Sequence, residues 1–250
     1  MHDGNVYDPD WWKAPKAASL ARKKRAAQAG AIAKPGDTFL IVTEGTVTEP
    51  VYFEFLLQDL QLYAVHVIVV PGCASDPRHV IATAAKEVKD HQWRRRKGML
   101  SITEPQTFDH VWAVIDTDVA VRMGYWHDVK QIAVSKKVRL AHSTPCFEYW
   151  LLLHLQDTTR GDLVDGAAAK RAVREALEEL GRDYSTNEET VREAMPYFIS
   201  HWPKAVKRAR RVRQYHKDGG TPAPANPSTE VDTLVSALND SAPEHARKTI

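Results

Sequence analysis

Residues Phe39–Pro50 read FLIVTEGTVTEP: an apolar, β-branched run ends in an acidic glycine turn, and a helical pattern follows. Phe53, Leu56, Leu57 and Leu60 fall at i, i+3, i+4, i+7, so a buried strand feeds an amphipathic helix. A strand–turn–helix of this kind often holds phosphate, because a helix N-terminus presents unbonded N–H groups. This turn carries Glu44 and Glu49 instead, has no lysine and lacks the P-loop spacing. A phosphate approaching it needs a positive mediator.

The alternation continues outward from that stretch. VHVIVVPG (65–72) reads as a second strand, and PRHVIATAAKEVKDHQWRRRK (77–97) as a helix with proline at its first position. HVWAVIDTD (110–118) is a third strand. VRLAHS (138–143) is a fourth, leading into TPCFEYWLLLHL (144–155), where Thr144 is placed as a cap and Pro145 at the first helical position. Strands alternating with helices predict an α/β core with a mostly parallel sheet over residues 38–156. Residues 1–37 read as a tail with the basic run Arg22, Lys23, Lys24, Arg25. Beyond Gln156 the strands stop, and 157–250 reads as a helical extension. Pro196 and Pro203 are expected to divide its long pattern, 190–218, into separate helices. A break at GGTPAPANP precedes a last helix starting near Ser228.

Hydrophobic residues make up 43% and charged residues 26% of the 250, which predicts a buried core. Thirty-four basic against thirty-two acidic residues leave a formal charge of +2, so the distribution of charge, not its total, must point to partners. Two cysteines, Cys73 and Cys146, suit a reducing compartment without a disulfide framework. The N-terminal residues lack an apolar signal core and no run approaches the roughly 18 apolar residues of a membrane span, so a cytoplasmic protein is expected.

In VIDTD, strand alternation sets Asp116 and Asp118 on one face, with Cα atoms about 6.6 Å apart. Carboxylates that close repel, and ligands of open α/β sheets bind at the C-terminal strand edge. A hard cation relieves the repulsion, and oxygen-only ligands favour Mg²⁺ or Mn²⁺. Glu44 ends the first strand on the same edge. The bland alternatives are that strand-end aspartates cap turns, and that Glu49 and Glu148, each opening a helix, compensate its dipole. His154, between Leu153 and Leu155, reads as a core histidine.

LIVTEGTVTEPVYFEFL, VWAVIDTD, STPCFEYWLLLHL and NPSTEVDTLV stand in the order found in the RloB-like family, a TOPRIM-fold branch of bacterial defence and restriction-associated loci, which the chain resembles from Thr38 to about Leu238. The resemblance implies a TOPRIM-like core in which Glu44, Asp116 and Asp118 form a metal-dependent centre, with Glu49, Ser143, Phe147 and Glu148 in nearby motifs. Asp116 and Asp118 would hold the cation; Glu44 would bind it or act as general acid/base. Glu230 and Asp232 depart from the family's pattern, which has neutral or histidine-like residues there. The implied activity is phosphodiester cleavage in RNA, tRNA included, or DNA, as an anti-phage effector of abortive infection. The implied partners are nucleic acid and an ATPase encoded beside it, with a homodimer allowed and no membrane. The rival from another class is a non-catalytic nucleic-acid-binding or regulatory subunit of an ATPase-containing complex; a primase-like polymerase is disfavoured, since no zinc or nucleotide module is visible.

The candidate nucleic-acid surface is the basic stretch with Lys204, Lys207, Arg208 and Arg211, docked by a narrow stripe of Ala205, Ala209 and Val212. HQWRRRK, with Arg94 and Arg95, is a second candidate, and its Trp93 is expected to pack rather than to stack a base. The competing use of both stretches is a solvated helix face.

Overall fold

Phe39–Thr43 (β1) is buried along its whole length, because both of its faces meet apolar layers. Phe39 and Ile41 join one core cluster, Leu40 and Val42 the other. The computed structural model describes residues 37–62, 66–69, 76–101 and 104–250; the tail with Arg22–Arg25, and Cys73, lie outside the described residues. After β1 come α1 (Thr48–Asp59), β2 (His66–Val69), α2 (Pro77–Arg96), β3 (His110–Asp116), the short α3 (Asp118–Arg122), α4 (Trp126–Lys136) and β4 (Arg139–Thr144). Helices α5 (Phe147–Leu155), α6 (Gly166–Glu178) and α7 (Glu188–Asp218), strand β5 (Ser228–Thr229), α8 (Val231–Ser241) and a short 3-10 helix (Glu244–Ala246) complete the order.

The sheet runs β2-β1-β3-β4-β5, with the first four strands parallel and β5 antiparallel. Thr43 lies beside Val114, and Asp116 beside Ser143, so the C-terminal ends of β1, β3 and β4 share one edge. The α/β architecture with a mostly parallel sheet is therefore as the sequence predicts. Helices α1, α5, α7 and α8 cover one face around Phe53, Trp150, Phe198 and Leu234; α2 and α4 cover the other around Ile81 and Val129. Residues 157–250 share this core: α7 packs on α1 and α5, and β5 extends the sheet. Among the described residues, no helix is long and apolar enough to cross a membrane.

Four local expectations need correction. Pro196 and Pro203 do not divide α7, which runs unbroken for 31 residues. Each interior proline costs about 3 kcal/mol, but Met195, Phe198, Ile199 and Trp202 around them are buried, and a large buried side chain gains about 1.5–3 kcal/mol. Thr144 does not cap α5 and Pro145 does not open it. Thr144 ends β4 with its Oγ1 on Thr117 Oγ1 at 2.6 Å, and the helix starts at Phe147 after an extended Cys146. Ser228 pairs with Thr144 in β5, so the last helix starts at Val231. Trp93 is 49% exposed instead of packed. His154 is a core histidine as expected: Nδ1 meets the Trp150 carbonyl at 2.9 Å and Nε2 the Tyr52 hydroxyl at 3.2 Å. Burial lowers its pKa to about 3.

Candidate functional site

Glu44 is the first residue past β1, its N–H donating to Val114 O at 3.1 Å. The neighbouring strand delivers Asp116 alongside, and the Asp116 N–H donates to Glu44 Oε2 at 3.1 Å. The chain then turns into α1, whose first turn folds Glu49 back so that Oε1 accepts the Gly45 N–H at 2.9 Å. A Cβ on residue 45 would lie 2.1 Å from Glu49 Oε2. Glycine is therefore required for close approach, which accounts for the E-G pair in the turn.

Asp116 ends β3, and its Oδ1 accepts the Phe147 N–H at 2.9 Å. It thus supplies, from across the sheet, the cap that Thr144 does not give α5. Glu148, in the first turn of α5, is buried beside it. The strand alternation invoked for Asp116 and Asp118 does not hold, because β3 stops at Asp116 and Thr117 adopts helical dihedrals. Asp118 instead opens α3, its Oδ1 2.6 Å from the Val119 nitrogen. It still adds negative charge at Glu44.

Burial is the main reason that the Glu44 carboxyl is pushed up to about 7; its hydrogen bond from Asp116 opposes this, and Asp118 and Asp76 add to it. Burial likewise lifts Glu49 to about 7, with Glu148 the strongest neighbouring charge. Asp116 is raised well above the ordinary range, by burial and then by Glu49, Glu44 and Glu148. Among the described residues, Lys170 of α6 faces this group, with Nζ 3.9 Å from Glu148 Oε1. Beyond Glu44, Asp76 caps α2 and pairs with Arg78 at 2.7 Å, and the Arg78 guanidinium lies 4.5 Å over the Tyr125 ring.

Among the described residues, no three His, Cys, Asp or Glu side chains stand as a ready coordination cage. Glu44 and Asp118 are turned onto backbone N–H groups. The donor set nonetheless fits a hard cation: it is all carboxylate oxygen, partly or wholly desolvated, and mutually repelling. Asp116 and Asp118 are the residues that would hold it, with Glu44 as a further ligand or as the general acid/base.

The family model described as RloB-like protein matches residues 39–238, which span every carboxylate named above. The chain belongs to the RloB-like protein family. No curated protein and no solved structure is matched.

Elsewhere in this RloB-like chain, Ser143 and Thr229 join β4 to β5 through their hydroxyls at 2.9 Å, and Phe147 is buried. The two departures from the family pattern have local explanations. Asp232 is buried and held by both Arg213 nitrogens, and Arg213 also donates to the Thr229 carbonyl, so the pair ties α7 to β5 and α8. Glu230 lies 3.6 Å from His142 Nδ1, but burial, aided by Arg213 and Lys130, lowers the histidine to about 4 and keeps it neutral.

Ala205, Ala209 and Val212 are buried as the stripe predicts, and Lys204 and Lys207 are exposed. Arg208 and Arg211 have structural partners. Arg208 Nη1 donates to the Leu153 and His154 carbonyls at 2.8 and 3.0 Å, closing the end of α5, and Arg211 pairs with Asp157. Glu148 and His154 are six positions apart on α5, about 9 Å along the helix, so the basic segment contacts the end of α5 away from the carboxylates. On α2, Arg94 pairs with Glu104 at 2.6 Å, while Arg95 is exposed with Nη1 3.5 Å from the Gln106 carbonyl. Sequence reasoning missed Lys170, Asp76, Arg78 and Tyr125. The Asp76–Pro77 pair signals a helix start, and nothing in the sequence ties Lys170 to the turn at Glu44.

Proposed function

We infer that this RloB-like protein is a divalent-cation-dependent nuclease cleaving phosphodiester bonds in RNA, tRNA included, or DNA. The observation that carries the reading is the gathering of Glu44, Glu49, Asp116 and Glu148 at one sheet edge, with two of their carboxyls lifted to about 7. A fold retains so costly a group of charges where it serves chemistry. Mg²⁺ or Mn²⁺ bound there would supply Lewis acidity and lower the pKa of a water. The chain's own part is to fix the geometry. Asp116 is locked between the α5 N-terminus and the Glu44 side chain. Glu44, at the partly exposed strand end, would take a proton as water oxygen bonds to phosphorus and the P–O bond to the leaving group breaks.

The family resemblance extends the proposal to an anti-phage effector of abortive infection, working in the cytoplasm with a partner ATPase. The orientation of Glu44 and Asp118 toward backbone N–H groups favours a second reading, a nucleic-acid-binding or regulatory subunit without catalysis. Purified protein incubated with total tRNA, other RNA or plasmid in Mg²⁺, Mn²⁺ or EDTA separates the two. A nuclease cleaves at least one substrate, loses activity in EDTA and loses it again in Glu44→Gln or Asp116→Asn. Cleavage near the wild-type rate in the double variant would sink the assignment at this site, and binding without cleavage supports the second reading.

A further inference from the structure

Lys170 and Glu148 form an asymmetric pair. The Glu148 side chain is 6% exposed and lies inside the acidic group, whereas that of Lys170 is 46% exposed, with its ammonium 3.9 Å from Glu148 Oε1. Nothing in the sequence around Lys170, an ordinary amphipathic helix, marks it. Two features fix its place. Asp165 caps α6 by accepting the Ala168 N–H at 2.8 Å, and Gly166 packs against Cys146, so the first turns of α6 and α5 lie side by side. The electrostatic neighbours of Lys170 are Glu148, Asp116 and Glu49, together with Cys146. The other basic candidates are occupied or remote: Arg208 and Arg211 are bound to the far end of α5, and Arg78 to Asp76.

A contact of 3.9 Å is an ion pair without a hydrogen bond, and among the described residues the ammonium's three donors have no other acceptor. The flexible lysine stem can carry it outward from Glu148. A polynucleotide phosphate drawn toward carboxylates meets net repulsion, and a half-exposed ammonium beside them offsets part of it.

We propose that Lys170 is the phosphate-contacting residue of this site: its ammonium binds a non-bridging oxygen of the scissile phosphodiester. This rests on the nuclease reading and goes beyond it by naming the residue that grips substrate. Such a contact strengthens as charge builds on phosphorus, so it acts on kcat as well as on binding. A role confined to neutralising Glu148 would leave the salt slope of binding unchanged.

The chain supplies a matched control. Lys248 is 43% exposed and lies 3.8 Å from Asp59, at the C-terminal end of α1, away from the acidic group. Lys170→Met and Lys248→Met are compared with wild type in two assays, cleavage in Mn²⁺ and salt-dependent binding of the same oligonucleotide in EDTA, with melting temperatures checked first. Lys170→Met should lose about 10²-fold in kcat, of the order seen when one transition-state donor is removed. Its salt slope should fall by about 0.7–0.9, the value of one phosphate contact. Lys170→Arg should recover the slope, and Lys248→Met should change neither quantity. Wild-type kcat and slope in a folded Lys170→Met, with the wild type active, overturn the proposal. A loss of kcat with an unchanged slope also overturns it, since that leaves Lys170 as a counter-ion of Glu148 only. A wild type that binds but cleaves nothing removes the nuclease reading instead, and the slope still decides whether Lys170 touches phosphate.

Discussion

Replacing Glu49 with glutamine isolates the electrostatic cost of the acidic group. Glu49 is 6% exposed, and the Gly45 N–H on its Oε1 finds an equivalent acceptor in a glutamine oxygen, so volume and one hydrogen bond survive while the charge goes. In the folded chain the carboxyl rises from its ordinary 4.5 to about 7, chiefly through burial and then through Glu148. At about 1.36 kcal/mol per pKa unit, the ionised form costs the fold about 3 kcal/mol. A carboxyl raised by folding contributes stability that is fully present below about 4.5 and is lost as pH rises through about 7. The glutamine NH₂ must also take the place of a buried carboxylate oxygen, which costs about 1 kcal/mol. The net gain at pH 8 is then about 2 kcal/mol, or about 4–8 °C in melting temperature for a unit of this size. Melts of both proteins in EDTA at pH 5 and pH 8 measure it. Glu49→Gln should melt above wild type at pH 8 and slightly below it at pH 5. The same difference at both pH values would refute the electrostatic account.

Gly45→Ala should displace the Glu49 carboxylate, whose oxygen would otherwise lie 2.1 Å from the new Cβ. Because the displaced atoms end a flexible side chain, cleavage should fall steeply while the melting temperature moves by only a few degrees; unchanged cleavage would show that the position of Glu49 is immaterial. Lys204→Gln with Lys207→Gln should lower the salt slope of nucleic-acid binding by up to about 1–2 units and leave stability alone. Arg208→Gln, in contrast, should cost about 2 kcal/mol, since its guanidinium serves two otherwise open α5 carbonyls; equal effects of the two replacements on stability would contradict this division. Metal binding should stabilise the wild type by about 2.7 kcal/mol at 100 times the dissociation constant. Asp118→Asn should shrink that gain without lowering the metal-free melting temperature, and equal destabilisation with and without Mn²⁺ would leave Asp118 as a helix-start residue only.

The strands and most helices were legible because their patterns are local. FLIVT and VWAVI have no competing reading, and the stripe of Ala205, Ala209 and Val212 marks the buried side of α7. Glu44 and Asp116 could be placed from their positions at parallel strand ends. Most of the failures share one cause, a decision made by a distant partner. Thr144 has the chemistry of a cap, but Thr117 engages its hydroxyl and Asp116 takes the helix N–H. Pro196 and Pro203 have the chemistry of breaks, yet the face buried against α1 and α5 outweighs them. Arg208 lies in a basic run but serves α5, and Lys170 lies in no motif but meets Glu148. In each case the deciding contact joins residues more than 20 positions apart.

The acidic group persists because helix starts surround it. Glu49 lies in the first turn of α1, Glu148 in that of α5, Asp118 in that of α3, and Asp116 directly accepts the first N–H of α5. A helix N-terminus favours a nearby negative charge by about 0.3–1 kcal/mol, more when partly buried. Several such ends offset only part of the desolvation that lifts Glu44 and Glu49 to about 7. The remainder is stored as unfavourable charge, available to whatever positive species enters. The same dipoles that make a strand–turn–helix edge hospitable to phosphate are here used on the protein's own carboxylates. An edge built that way repels a bare phosphate and favours a cation, and the Lys170 ammonium beside Glu148 is a positive charge that the chain itself sets there.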